Sequence, residues 1–247
     1  MQRYSIGKKI FNKKDQNIFL NLSKDYNQAH LINKKKLDQF NTKKTIVHGM
    51  HILLYAFELF LKKTDVKIAS IDCNFIKPIF LNQKINFYLY KNNFKEKKSD
   101  FYLEIENTSK KICVIIIFSE KKNFFLDKSK NKRILIDLKK LKNNQNNFLK
   151  FKFKAKLKDK KDFNIFPSIV KNHSVFFCES LVKASYFIGM KFPGKNSIFY
   201  NINFNLNKLN FKKKYLLFMI KQLKSKIKIF SILVDGFLKM NIKCLKK

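Results

Sequence analysis

Arginine is almost missing from this chain. Of 54 lysine and arginine residues only Arg3 and Arg133 are arginines, so the formal net charge of +37 over 247 residues is carried by lysine. A basic surface can bind nucleic acid by releasing counterions from phosphates. The bidentate contacts that read phosphate and guanine come from arginine, however, and there is almost none to make them. Lys, Asn, Ile and Phe are abundant while Gly, Pro, Arg and Trp are scarce, the skew of a chain encoded by AT-rich DNA. The lysines therefore read as solvated faces, and no nucleic-acid partner is expected. The four cysteines, Cys73, Cys113, Cys178 and Cys244, form no C-x-x-C pair. They read as reduced, buried small hydrophobes, and neither a disulfide frame nor a metal site is expected. Polar residues interrupt every apolar run well short of the ~20 residues of a membrane span. The opening "MQRYSIGKKIFNKKDQ" has no apolar core of the signal-peptide kind. The expectation is a cytoplasmic protein with no membrane contact.

What the chain does have is apolar mass: 45% hydrophobic residues, 28 of them Phe, enough for a large core. Two segments are apolar on nearly every side at helical length. "GMHILLYAFELFL", from Gly49 to Leu61, carries only His51 and Glu58 as strongly polar residues, and "VFFCESLVKASYFIGM", from Val175 to Met190, only Glu179 and Lys183. A surface helix shows an apolar stripe, whereas a helix apolar all round is enclosed by protein. Each segment is followed by β-like runs. After the first come "KIASIDCNFIKPIF", "KINFYLY", "DFYLEIE" and "KICVIIIF"; after the second, "SIFYNINFNLN", "KKYLLFMIKQL", "KIKIFSILV" and "GFLKMNIKCL". In "NINFNLN" Ile202, Phe204 and Leu206 alternate with asparagines, the mark of a half-buried antiparallel strand. A buried helix followed by four strands thus occurs twice. A helix wrapped by a curved antiparallel sheet is the hotdog architecture, and the expected fold is α+β, a double hotdog with two central buried helices. The expected organisation is a first hotdog over 1–120, a linker over 121–165 and a second hotdog over 166–247. The linker contributes an edge strand such as "FKFKAKL".

The chemistry concentrates near residue 25. The chain has four histidines, yet "FLNLSKDYNQAH" and "TIVHGMHILL" bring Asp25, Asn27, His30, His48 and Gly49 within a short reach. On an ideal helix Asp25 and His30 would point roughly 140° apart. They converge only on an irregular loop, which Ser, Asp and Asn favour. A carboxylate and an imidazole sharing one water suit a pair of proton transfers. Gly49 stands where the buried helix begins, so its N–H is among the unpaired donors of the first turn. A glycine there admits a carbonyl closely, as an oxyanion donor requires.

The whole stretch resembles the signature of MaoC-like dehydratases, which include (R)-specific enoyl-CoA hydratases: an aromatic, L-S-G-D-x-N-P-h-H (h, apolar), and then h-h-H-G-h. This chain supplies Phe19, Leu22, Ser23, Asp25, Asn27 and His30, then Ile46, Val47, His48, Gly49 and Met50. It departs at Lys24, where Gly is usual, at Gln28, where Pro is usual, and at Asn82-Gln83, where Gly-Asp is common. The resemblance covers about residues 4–120, and the second half shares only the helix-plus-strands pattern, including "GMKFPGKNSIF".

The resemblance implies reversible hydration of a 2-enoyl thioester carried on coenzyme A or acyl carrier protein, with no cofactor. In hydration Asp25 takes a proton from water and His30 delivers one to Cα; Asn27 orients the loop or the water. Asn27, His48 and Met50 are expected on the substrate side, although for His48 a structural hydrogen bond near the helix start stands equally open. His51 and His173 read as core or surface histidines. Glu58 needs a partner such as lysine if it does not face the pocket. The second hotdog, lacking D-x-N-x-x-H, would shape the acyl tunnel, whether the protein is a pseudo-dimeric monomer or a homodimer. The alternative is a catalytically silent hotdog that binds an acyl thioester or scaffolds a partner. A thioesterase is less favoured, because Glu58 lies late in its helix.

Overall fold

The structure is a computed structural model that describes residues 2–31, 44–91, 100–120, 149–154, 160–194, 197–205, 215–224, 229–236 and 239–246. Strand β1 (Gln2–Ile10) buries only Ile6, which is why the apolar pattern did not mark it. Helix α1 (Lys13–Ser23) starts on a reciprocal cap. Asn12 Oδ1 accepts the Asp15 N–H and the Asp15 carboxylate accepts the Asn12 N–H, both at 3.0 Å. A 3-10 turn (Gln28–His30) leads to the central helix α2 (Gly49–Leu61), buried at every position except Gly49, Tyr55 and Leu59. Strands β2 (Ile68–Phe75), β3 (Lys84–Lys91), β4 (Asp100–Asn107) and β5 (Ile112–Glu120) complete the first half. The second half comprises β6 (Leu149–Lys154), α3 (Pro167–Asn172), α4 (Val175–Tyr186), β7 (Ser197–Asn205), β8 (Tyr215–Lys224), β9 (Ile229–Gly236) and β10 (Lys239–Lys246). Both all-round apolar segments are helices, as expected, and each is followed by four strands.

All ten strands form one antiparallel sheet in the order β1-β3-β4-β5-β2-β7-β10-β9-β8-β6. Read outward from the β2–β7 seam, the two halves repeat the same order, with β7 matching β2, β10 matching β5 and β6 matching β1. Residues 151–154 of "FKFKAKL", within the expected 121–165 linker, belong to the edge strand β6, paired with β8, and the rest of that segment lies outside the described residues. At the seam Cys73 lies opposite Ile202 and Asn74 opposite Asn201. Across the same seam, Asn201 Nδ2 donates to Asp72 Oδ1 at 2.7 Å and to Asn74 Oδ1 at 2.9 Å.

The core is continuous across the seam. Phe57 of α2 meets Phe118 of β5 at a ring separation of 5.7 Å and Phe177 of α4 at 6.4 Å, while Phe177 lies 5.6 Å from Phe204 of β7. Glu58 faces the second half rather than a cavity. Its carboxylate accepts the Ser168 N–H at 3.0 Å and the Ile169 N–H at 3.2 Å at the start of α3, with Lys62 Nζ 3.7 Å away. The expected lysine partner is present, and two backbone amides add to it. Among the described residues no helix is long and apolar enough to cross a membrane.

Because Phe177 joins both half-cores, Phe177→Ala should lower unfolding free energy by about 3–5 kcal/mol. Tyrosine fluorescence and circular dichroism in denaturant should still coincide in one transition; two separated transitions would show that the halves unfold independently.

Candidate functional site

The loop that carries Asp25 is shaped by what flanks it. Lys24 ends α1 in the left-handed conformation, at φ 57°. The Asp25 N–H then donates to Ser23 Oγ at 3.1 Å, and that hydroxyl donates back to the Phe19 carbonyl at 2.8 Å. Asn27 caps the 3-10 turn. Its Oδ1 accepts the Ala29 N–H at 3.3 Å, and its Nδ2 donates to the Ser197 carbonyl of β7 at 2.8 Å. The side chain expected to orient the loop is therefore spent on the loop's own turn and on a strand of the other half.

The Asp25 carboxylate is only 1% exposed. One oxygen accepts the Asn27 N–H at 3.2 Å and the other accepts the hydroxyl of Ser185, on α4, at 2.8 Å. Gly189, in the π-helical turn Phe187–Lys191 that prolongs α4, lies so close that a Cβ there would overlap this carboxylate. Ser185, Gly189 and Ser197 escaped the sequence reading because the second half has no motif around them. The readable signal was a glycine inside an otherwise apolar helix, where it weakens the helix unless backbone must approach something closely.

His30 Nδ1 lies 2.9 Å from the Ile46 carbonyl. A carbonyl only accepts, so Nδ1 carries the proton and the neutral ring leaves Nε2 as its bare nitrogen. Gln16, buried on α1, donates to the carbonyls of both His30 (2.9 Å) and Ile46 (3.2 Å) and fixes the turn against the strand segment before α2. Asp25, His30 and His48 each bring a ligating atom within 4.8 Å of the other two. That separation admits one bridging water between Asp25 and His30. Burial raises the Asp25 pKa, partly offset by the charge of His30 and the Ser185 hydroxyl. Burial likewise lowers the His30 pKa, partly offset by Asp25. Both effects favour the uncharged forms.

These groups open onto a cavity of about 280 Å³ lined by Asp25, Asn27, His30 and Gly49. Its apolar walls come from both halves: Ile52, Phe75 and Val114 from the first, Ile188, Ile198 and Phe199 from the second. Exposed Lys77 lies in its lining. A Cβ on Gly49 would stand 3.1 Å from the Phe75 ring, so the glycine keeps the helix start open beside that wall.

Two expected substrate contacts are corrected. Met50 is fully buried in the core and does not line the cavity, because the helix turns it inward from Gly49. His48 also lies behind the cavity wall, fully buried, with Nε2 donating to the Asp25 main-chain carbonyl at 3.0 Å. Asp25, His30 and His48 have the donor types of a metal site. However, the His30 and His48 rings are stacked, 3.7 Å apart with planes at 29°, so their in-plane lone pairs run side by side rather than onto one point. His51 is a core residue stacked on Phe19 at 4.7 Å.

The departures from the motif leave the loop intact. Lys24 holds the left-handed position that glycine fills at least cost, and Asn82 does the same at φ 62°. Gln28 is the first residue of its turn, preceded by Asn27 at φ −57°, ψ 135°, a conformation that would also precede a proline. Lys24→Gly should therefore stabilise the fold by on the order of 1 kcal/mol, read as a rise in Tm. Gly189→Ala should lower Tm by displacing the Asp25 loop; an unchanged Tm would refute that close approach.

Residues 3–111 match the model of the MaoC like domain. In solved structures the whole chain resembles Rv0216, a conserved hypothetical protein from Mycobacterium tuberculosis with a double hotdog fold. The TM-score is 0.67 at 8% identity, covering 99% of this chain and 95% of that one. A putative MaoC domain protein dehydratase from Chloroflexus aurantiacus gives 0.63 at 7% identity, covering 99% and 94%. A putative oleoyl thioesterase from Lactobacillus plantarum gives 0.54 at 7%, covering 99% and 95%. Such identities speak for fold alone, and these neighbours carry different activities in their names. No curated protein matches the chain. Both the Asp25–His30 loop and the His48-Gly49 step fall inside the matched residues: the chain has a double hotdog fold whose first half matches a MaoC like domain.

Proposed function

We propose that the protein is a hydro-lyase that interconverts 3-hydroxyacyl and 2-enoyl thioesters. The observation that carries this is the meeting of Asp25 and a neutral His30, with ligating atoms within 4.8 Å of each other, in an apolar cavity beside the Gly49 end of α2. In dehydration His30 Nε2 removes the Cα proton, and the electron pair moves into the thioester carbonyl. The Gly49 N–H, in the first turn of α2, stabilises that oxygen. The C–O bond at Cβ then breaks, and protonated Asp25 gives its proton to the departing hydroxyl, which leaves as water. Hydration runs the same steps backward, with Asp25 taking a proton from water and His30 returning one to Cα. One proton enters the pair at His30 and one leaves at Asp25, so a proton passes from His30 to Asp25 before the next turnover, and burial favours the uncharged arrangement thus restored. The reaction as drawn needs no cofactor.

The acyl group would arrive on coenzyme A or acyl carrier protein in the cytoplasm. Both carriers are anionic, and exposed Lys77 in the cavity lining suits either. The silent-hotdog reading would gain weight if Lys24 and Gln28 distorted the loop, but both fit their backbone positions. The thioesterase reading would need an acid on the central helix, and Glu58 is engaged by α3 and Lys62.

The test is hydration of trans-2-enoyl thioesters of several lengths, on coenzyme A and on carrier protein. Wild type should turn over. Asp25→Asn and His30→Ala should each lower kcat by about 10²–10⁴-fold with unchanged circular dichroism. Binding of acyl carrier without turnover would favour the silent module instead. Burial disfavours the imidazolium, so His30 protonates only below its ordinary 6.5. Dehydration kcat/KM should accordingly hold as pH falls through 6.5 and decline only below it; an acid limb above 6.5 would contradict the assignment of His30 as base.

A further inference from the structure

His48 touches no part of the cavity, yet it touches both members of the acid–base pair. Its Nε2 donates to the Asp25 main-chain carbonyl at 3.0 Å and lies 4.0 Å from Asp25 Oδ2. Its ring covers the His30 ring at 3.7 Å, and Phe19 of α1 lies 5.0 Å from its centroid. It is 0% exposed, and its Nδ1 has no hydrogen-bond partner. A buried imidazole with one idle nitrogen would be a poor choice for packing alone, since leaving a polar atom unpaired is costly. A phenylalanine would fill the space and a glutamine would make the hydrogen bond; only an aromatic ring with an N–H does both.

We infer that His48 is a positioning residue that aligns the pair from behind, tying the Asp25 backbone to the start of α2 and shielding His30 from water with its ring face. It is also the residue before Gly49, so one side chain references the acid, the base and the oxyanion donor to a single helix end. The titratable groups facing it are Asp25 from the loop, His30 from the 3-10 turn and His51 from α2; α1 presents Phe19, and α4 reaches this cluster through the neutral Ser185. A charge on His48 would stand against His30 and His51, and burial with these neighbours holds its pKa well below 6.5. It therefore stays a neutral donor toward Asp25 across the working range.

Two variants separate the two tasks. His48→Phe keeps the ring and loses the donor; His48→Gln keeps a donor and loses the ring. In His48→Phe, kcat should fall about 10- to 100-fold from misplacement of Asp25, with KM nearly unchanged because the cavity lining is untouched. In His48→Gln, kcat should partly recover, and the His30 titration midpoint should rise toward 6.5 as water reaches the ring. The midpoint is read by NMR on ¹³C-labelled histidine without substrate, with His48→Phe keeping the wild-type value. The kinetic arm rests on the proposed lyase reaction, and the NMR arm does not. If wild type proves inactive on every thioester, the His30 midpoints still decide: equal midpoints in wild type and His48→Gln would overturn the shielding role. Wild-type kcat in His48→Phe, or a raised KM with kcat unchanged, would overturn the positioning role in favour of packing or of substrate contact.

Discussion

The Asp25 carboxylate is taken almost entirely out of water at the place where the two halves meet. Such a group is tolerated only if its oxygens find donors and its loop cannot relax. Here the donors come from opposite sides, the Asn27 amide from the first half and the Ser185 hydroxyl from the second. Gly189 lets the backbone beyond α4 approach the carboxylate closely enough to close the space, and Asn27 reaches across to β7. The site therefore exists only when both halves are folded and paired. The β2–β7 seam and the Phe57–Phe177 contact beneath it are the conditions for this geometry.

A half without the loop motif can thus be indispensable to the site. The second half contributes no acid or base, but it contributes the hydroxyl on the acid, the approach of Gly189 and much of the apolar wall. Excluding water this way pushes Asp25 toward its protonated form and His30 toward its neutral one. Those are the states in which one can give a proton and the other can take one. Electrostatics and packing are one device here: the apolar walls that shape the cavity also tune the pair.

Much of the fold was legible in the residues. Gly49–Leu61 and Val175–Tyr186 are too uniformly apolar to be surface helices, and the Ile202–Phe204 alternation marks a sheet face, so two wrapped helices followed from patterning alone. β1 was not legible, because an edge strand that buries only Ile6 leaves no periodic trace. β6 was legible only as an apolar–lysine alternation inside a charged stretch. That Asp25, Asn27, His30 and Gly49 line one cavity was foreshadowed by local spacing, which demands a loop and a helix start. Met50 was misplaced because one step along a helix turns a side chain about 100°, from cavity to core.

The sequence by itself singled out Asp25, His30 and Gly49 as candidate groups and determined that each half must enclose a helix. That Lys24, Gln28 and Asn82 can stand in for the commoner residues was decided by the structure, where each takes the backbone conformation its position requires. Only the tertiary structure decided what faces Asp25. Ser185 and Gly189 are 160 and more residues away in the chain and have no spacing rule linking them to the loop. Their contact is created by pairing β2 with β7, a long-range register that settles through the packing of two cores at once. Periodicity shows that a face will be buried; it does not show against what.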